Sequence, residues 1–292
     1  MPRTPALILA ALLTACTTEP PLVEGPARPA MWVVQDGDTR IVLIGSVHQL
    51  PSDLEWTGGI LTPELAAADE LILELAPAEL AKAPALFAST SSDEPVASLD
   101  QRFGQPTAER VRDYAADAGI NADDAERMES WALVIAIGNV ITADSGLTSE
   151  NGVETRVTAA FAANNRPITG FETAEQQLGM FDDLPNAAQN AMVASAIARS
   201  GEARTRTRRL LTAWARGDTA ALAAAADEAM ADTPALIEPV IHARNRAWAD
   251  ALARRMQRPG DVLVAVGAGH LVGGESLIEE LRTRGFTARR LQ

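Results

Sequence analysis

Two uninterrupted apolar runs constrain the fold more than any other feature of this chain: Ile41-Val42-Leu43-Ile44 near one end and Val262-Leu263-Val264-Ala265-Val266 near the other. A strand with one wet face alternates apolar and polar residues, so a run that is apolar at every position demands cover on both sides. A parallel sheet between layers of helix supplies that cover. Residues 71–75 and 167–171 read as further buried strands, and 287–291 as a closing edge strand. Met31–Gln35 leads into a strand over 40–47 through Asp36-Gly37-Asp38-Thr39, a turn sequence that suits antiparallel neighbours. The expected fold class is α/β, with a mainly parallel central sheet, an N-terminal hairpin and a large helical insertion.

Ala-rich stretches of helical character fill the spaces between the strands: 61–69, 77–88, 106–118 and 122–143, then several helices from 174 to 257. Gly201, Gly217-Asp218 and Asp232-Thr233-Pro234 mark breaks in the last group, Thr233 serving as a cap ahead of a first-turn proline. Residues 131–141 are apolar all round but make only about three turns, the length of a buried helix rather than a membrane crossing. The last helix is expected over 273–284, with Gly285 as its C-cap. The inserted helices are placed at about 77–165 and 174–257.

Residues 1–15 contain one basic residue, Arg3, then an apolar run over 6–13 ahead of Leu13-Thr14-Ala15-Cys16. That is the layout of a secretory signal. Leu-Thr-Ala-Cys also resembles the bacterial lipobox, in which the cysteine is acylated and becomes the new N-terminus. The expected organisation is a lipoprotein signal peptide over 1–15, a Pro-, Thr- and Glu-rich tether over 16–30 beginning at lipidated Cys16, and one α/β domain over 31–292. Thr17 after the cysteine favours the periplasmic face of the outer membrane over inner-membrane retention. Cys16 is the chain's one cysteine, so stability must come from the core that its 47% hydrophobic composition can build, not from an internal disulfide. A net charge of −14 and only 4% aromatic residues argue against nucleic acid as a partner. The partners expected are the membrane, through the lipid, and a peptide or other small substrate.

The chemistry gathers at strand ends. Gly45-Ser46-Val47-His48 and Gly267-Ala268-Gly269-His270 each follow one of the two apolar runs and use two of the three histidines. In parallel α/β sheets, ligands bind at loops just past the strand C-termini, where glycine lets backbone come close and histidine offers a base or a metal ligand. Because such loops bury little apolar area, neither histidine is expected to matter much for stability. Glu74 and Glu172 end apolar strands in the same way, and a carboxylate buried there costs several kcal/mol unless it is paired or binds a cation. Glu154 stands at a helix start, where an acid commonly complements the helix dipole. Two histidines and two or three glutamates on one edge suit Zn, Mn or Co; the alternative is metal-free His–Glu acid–base chemistry. Arg244 and Asn245 lie on a helix that can reach this edge. His242 reads as a packing or surface histidine. The basic run over 199–216 reads as a solvated helix face, with contact to anionic lipid or lipopolysaccharide as the lesser alternative.

Several segments together carry a resemblance. They are Leu43-Ile44-Gly45-Ser46-Val47-His48, Leu73-Glu74-Leu75, Asn151-Gly152-Val153-Glu154, Thr169-Gly170-Phe171-Glu172-Thr173 with Glu175-Gln176-Gln177, Arg244-Asn245-Arg246-Ala247-Trp248, and Val266-Gly267-Ala268-Gly269-His270. In this order they resemble the TraB/GumN family, related to the TIKI proteases and more distantly to erythromycin-esterase/ChaN-like proteins. The resemblance implies a parallel-sheet α/β fold with a helical insertion and, through the TIKI members, divalent-metal-dependent peptidase activity. His48 and His270 match the family's two Gly-x-x-His histidines and Glu74 its strand-end glutamate; Glu154 stands where many members have Asp. The function expected is a cell-envelope lipoprotein with a divalent-metal-dependent, peptidase-like hydrolase site. His48, Glu74 and His270 would hold Mn, Co or Zn, Glu154 or Glu172 would activate water, and Arg244 would stabilise charge on the carbonyl oxygen. The alternative is a non-catalytic binding lipoprotein, for haem or a polysaccharide-assembly partner, although the single Tyr114 and few aromatics disfavour haem.

Overall fold

The computed structural model describes residues 21–92, 95–143 and 146–292. The expected signal peptide and Cys16 lie outside the described residues. Six strands form one sheet: β1 (Met31–Gln35), β2 (Thr39–Ser46), β4 (Glu70–Leu75), β6 (Ile168–Glu172), β7 (Gly260–Gly267) and β8 (Ala288–Arg290), with β3 (Leu50–Pro51) and β5 (Leu147–Thr148) pairing separately. The order across the sheet is β6-β4-β7-β2-β1-β8. Strands β6, β4, β7 and β2 are mutually parallel, whereas β1 runs antiparallel to both β2 and β8. This is the mainly parallel sheet with an N-terminal hairpin that the apolar runs required. The hairpin closes on Asp36, whose Oδ1 accepts from the Asp38 and Thr39 amides.

The uninterrupted apolar runs follow from cover on both faces. Val42, Ile44, Leu71, Leu73, Leu263 and Ala265 pack on one side of the sheet against Phe161, Trp56 and Trp214. Ile41, Leu43, Ile72, Val262, Val264 and Val266 pack on the other against Trp248, Leu252 and Leu281. Each such aliphatic side chain, fully buried, contributes about 1.5–3 kcal/mol, so the central strands of this sheet hold much of the fold's stability.

The helical span expected as one insertion divides in two. Helices Leu99–Phe103, Gln105–Asp117, Ser130–Ala143 and Asn186–Arg199 pack around Trp131, Val111 and Val193 in a core of their own. Helices Val153–Ala162 and Ala203–Ala215 cover one face of the sheet, and Ala243–Arg255 covers the other. The helix expected over 122–143 is interrupted: Met128 is extended (φ −65°, ψ 138°), and the Glu129 amide leaves the helical ladder to donate to Ser91 O. The last helix starts at Leu277, not 273, because Ser276 caps it by accepting from the Glu279 amide. Gly285 is its C-terminal stop as expected, at φ 88°. Thr233, by contrast, makes no side-chain cap bond. Among the described residues no helix is long and apolar enough to cross a membrane.

Candidate active site

β2 and β7 are adjacent and parallel, with Gly45 opposite Val266 and Ser46 opposite Gly267. Both Gly-x-x-His segments therefore leave the sheet at the same edge. They touch: a Cβ on Gly45 would lie 2.9 Å from Ala268 Cα, so only glycine admits the second loop this close to the first. β4 lies on the other side of β7 and β6 beyond it, which puts Glu74 and Glu172 on this edge too.

The short β3–β5 pair, which sequence periodicity does not reveal, brings in Glu154. Asn151 follows β5; its Nδ2 donates to Pro51 O and Leu54 O at 2.6 and 3.1 Å, while its own carbonyl accepts from Trp56 Nε1. The next residue, Gly152, runs so close to His48 that a Cβ there would collide with the His48 carbonyl oxygen. The helix starting at Val153 then aims Glu154 at β2. Glu154 Oε1 accepts from Ser46 Oγ at 2.6 Å and sits 2.9 Å from His48 Nδ1. Its other oxygen is buried with no protein partner. The His48 side chain is 83% exposed, so Nε2 is open to solvent. The hydrogen bond to Glu154 raises the His48 pKa above the ordinary value against the effect of burial, and the charges of Glu154 and Glu74 add to the rise. Burial works against ionisation of Glu154, yet His48 and the Ser46 hydroxyl outweigh it and hold the carboxyl below its ordinary value.

The other half of the edge centres on Arg244, near the start of helix Ala243–Arg255. Its Nε and Nη2 donate to the two oxygens of Glu172 at 2.8 and 2.9 Å, and Nη2 also donates to Glu74 Oε2 at 2.5 Å. Gly267 N–H supplies Glu74 Oε1 at 2.7 Å, Trp248 Nε1 supplies Glu172 Oε1, and Gln177 Nε2 bridges both carboxylates. Burial disfavours the Glu74 carboxylate, but Arg244, His270 and the Gly267 amide together bring its pKa below the ordinary value.

His270 is 5% exposed and packs against Trp248, with ring centroids 4.5 Å apart and planes tilted by 53°. Its tautomer follows from its neighbours. Asn245, fully buried, donates its Nδ2 to Glu275 O, which turns Oδ1 toward His270 Nδ1 at 2.8 Å. Nδ1 therefore carries the proton. Nε2 is then the acceptor for Arg244 Nη1 at 3.1 Å, since a guanidinium can only donate. Burial, opposed by Glu74 and reinforced by Arg244, lowers the His270 pKa to about 4. The expectation that His270 contributes little to stability does not hold for a histidine placed like this.

All six candidate residues thus lie on one edge, in two groups: His48 with Glu154, and Glu74, Glu172 and His270 around Arg244. As arranged, His48, Glu74 and His270 do not form an open ligand set for a metal ion. Arg244 already occupies the Nε2 lone pair of His270 and one oxygen of Glu74, and the Gly267 amide takes the other. Among the described residues no group of three or more His, Cys, Asp or Glu side chains is placed to hold a metal. A groove of about 980 Å³ between Met180, Leu184 and Trp248 reaches Glu172 and Arg244 from the side. His242 lies apart, 3.1 Å from Glu275. Ser46 and Gln177 belong to the site but had no role assigned from sequence. Ser46 was visible only as the residue after a motif glycine. Gln177 follows the capping-box residue Gln176 and differs from it only in direction around the helix.

Fold and edge define a class: an α/β protein whose parallel sheet presents paired histidines, glutamates and one arginine beyond its strand C-termini. The model of the TraB/PrgY/gumN family matches residues 30–290, and the chain belongs to this family. It is 25% identical over 256 residues to the uncharacterized protein YbaP of Escherichia coli strain K12, covering 87% of this chain and 92% of that relative. The YbaP of Shigella flexneri is similar to the same extent. No solved structure matches the chain.

Proposed function

We propose that the sheet edge is a hydrolase site of peptidase type, carried by a lipoprotein of the bacterial cell envelope. One observation supports it above the others: an exposed imidazole, His48, whose Nδ1 is held by a half-buried carboxylate while Nε2 faces solvent. Glu154 fixes the ring and stabilises its protonated form, so Nε2 takes a proton from water attacking a substrate carbonyl and returns it to the leaving amine. Arg244, anchored by Glu74 and Glu172, supplies positive charge toward the oxygen on which negative charge develops. The test is hydrolysis of a peptide library followed by mass spectrometry. His48→Ala and Glu154→Ala should each lower the rate by about 10²–10⁴-fold, the usual contribution of a positioned acid–base group. No cleavage by the unaltered chain under any metal condition would sink the proposal.

A second reading places a divalent cation, Mn, Co or Zn, on His48, Glu74 and His270, and would require Arg244 to release Glu74 and His270. Two carboxylates on one guanidinium favour it, because Glu74 and Glu172 together leave that half of the edge with surplus negative charge. Metal analysis of chain purified without chelators decides: about one ion per chain supports the cation, and a Soret band would support a haem binder instead. The envelope location rests on residues 1–16. Cys16→Ser should release the protein to the soluble periplasmic fraction or leave it as precursor; fractionation like wild type would remove Cys16 as the anchor.

A further inference from the structure

The outward side of helix Ala203–Ala215 differs in charge from the chain as a whole. From 203 to 217 the sequence has Arg204, Arg206, Arg208, Arg209 and Arg216 and no acid, in a protein of net charge −14. The inward side is core: Leu211, Trp214 and Ala215 are buried, and Trp214 Nε1 donates to Gly45 O at 2.8 Å, just before the His48 loop. Packing therefore fixes where the arginines point. With helix Thr219–Met230 they enclose a groove of about 630 Å³, lined by Arg206, Arg208, Arg209 and Arg216 and the threonines 205, 207 and 212, with Asp218 and Glu228 as its acids. Guanidinium forks and hydroxyls are the donors that phosphate oxygens accept from. Glu228, an exposed acid, pairs with Arg206 and Arg209 at 3.5 and 3.3 Å; surface pairs of this kind exchange readily for other anions.

The path of the chain is a second, independent observation. The first described residue, Pro21, accepts from Arg208 Nη2 at 3.4 Å through its carbonyl oxygen, and Leu22 behind it is buried in the core. Whatever precedes Pro21 joins the body beside the arginines. Cys16 is separated from it by no more than about 18 Å of extended chain.

We infer that the arginine face of helix Ala203–Ala215 docks on the anionic phosphate headgroups of a bilayer. Because the opposite side of the same helix packs beneath Gly45, docking also fixes the orientation of the His48 edge relative to the membrane. The inference does not depend on the hydrolase proposal or on acylation of Cys16; an acyl chain there would act at the same face, adding to the electrostatic attraction.

The test uses the full chain carrying Cys16→Ser, which cannot be acylated, with sedimentable vesicles of phosphatidylglycerol and phosphatidylcholine or of phosphatidylcholine alone. Binding to the anionic vesicles should exceed binding to the neutral ones by about a hundredfold or more at low salt and weaken as salt is added. Arg204→Gln, Arg209→Gln and Arg216→Gln together should weaken the anionic binding about a hundredfold, at about fivefold per arginine, and leave neutral binding unchanged. Glu228→Gln removes the competing acid and should tighten anionic binding; it decides the matter if the triple variant fails to fold. Equal binding to both vesicle types, full binding by a folded triple variant, or no tightening by Glu228→Gln would overturn the inference. So would complete competition by inorganic phosphate at constant ionic strength, which would mark a site for soluble anions.

Discussion

The two histidine loops have the same Gly-x-x-His spelling, leave neighbouring parallel strands one residue apart, and end in opposite environments. His48 is exposed, bound to a carboxylate and raised in pKa; His270 is buried, bound to an amide oxygen and a guanidinium, and lowered to about 4. One motif thus yields a titrating, solvent-facing base and a buried acceptor that stays neutral down to about pH 4. The difference comes from what packs over each loop. Helix Ala243–Arg255 lays Arg244, Asn245 and Trp248 across the second loop, whereas the His48 side chain meets the start of the Glu154 helix and is otherwise left 83% exposed. Separated proton affinities of this kind divide roles between like residues.

The largest effect should come from removing the centre of the buried half. Arg244→Met leaves Glu74 and Glu172 buried without their cation and should cost about 3–5 kcal/mol in a denaturant melt. A melt like wild type would mean that the two carboxylates find other partners and that the halves are less unlike than they look. Next, His270→Ala should cost about 2 kcal/mol, because the buried Asn245 Oδ1 loses its donor. His48→Ala should stay within about 0.5 kcal/mol yet abolish hydrolysis. Equal melts for the two alanine variants would erase the distinction.

Acid should separate the loops as well. The His270 pKa is depressed, so the unfolded chain takes up its proton first as pH falls. His270 therefore contributes stability above pH 6.5 that is lost progressively toward about pH 4. His48 has the opposite sign: its pairing with Glu154 stabilises below the ordinary histidine value and fades as pH rises through its raised one. Histidine NMR titration in the presence of a chelator checks both, and Glu154→Gln should return His48 toward its ordinary value. The smallest effect on the rate concerns Ser46, whose hydroxyl only steadies Glu154. Ser46→Ala should cost about 1 kcal/mol and lower the rate a few-fold, measured against the peptide substrate of wild type.

The strands, the hairpin at Asp36-Gly37 and the Gly285 stop were legible in the sequence because each depends on neighbours within a few residues. Apolar residues at every position of 41–44 and 262–266 admit only a strand covered on both faces, and two such strands in one parallel sheet put their glycines and histidines on a common edge. That much of the site was determined by local chemistry. Which histidine would be buried was not, since solvent exclusion at His270 is imposed by residues 244–248 on a separate helix. Nor could periodicity reveal the two-residue pair β3–β5 that delivers Glu154 to His48, or the convergence of Gln177, Glu74 and Glu172 on Arg244. Proton affinity and hydrogen-bond partnership are set by which groups displace water, and in this protein those groups arrive from elements far apart in the chain that only the tertiary structure brings together.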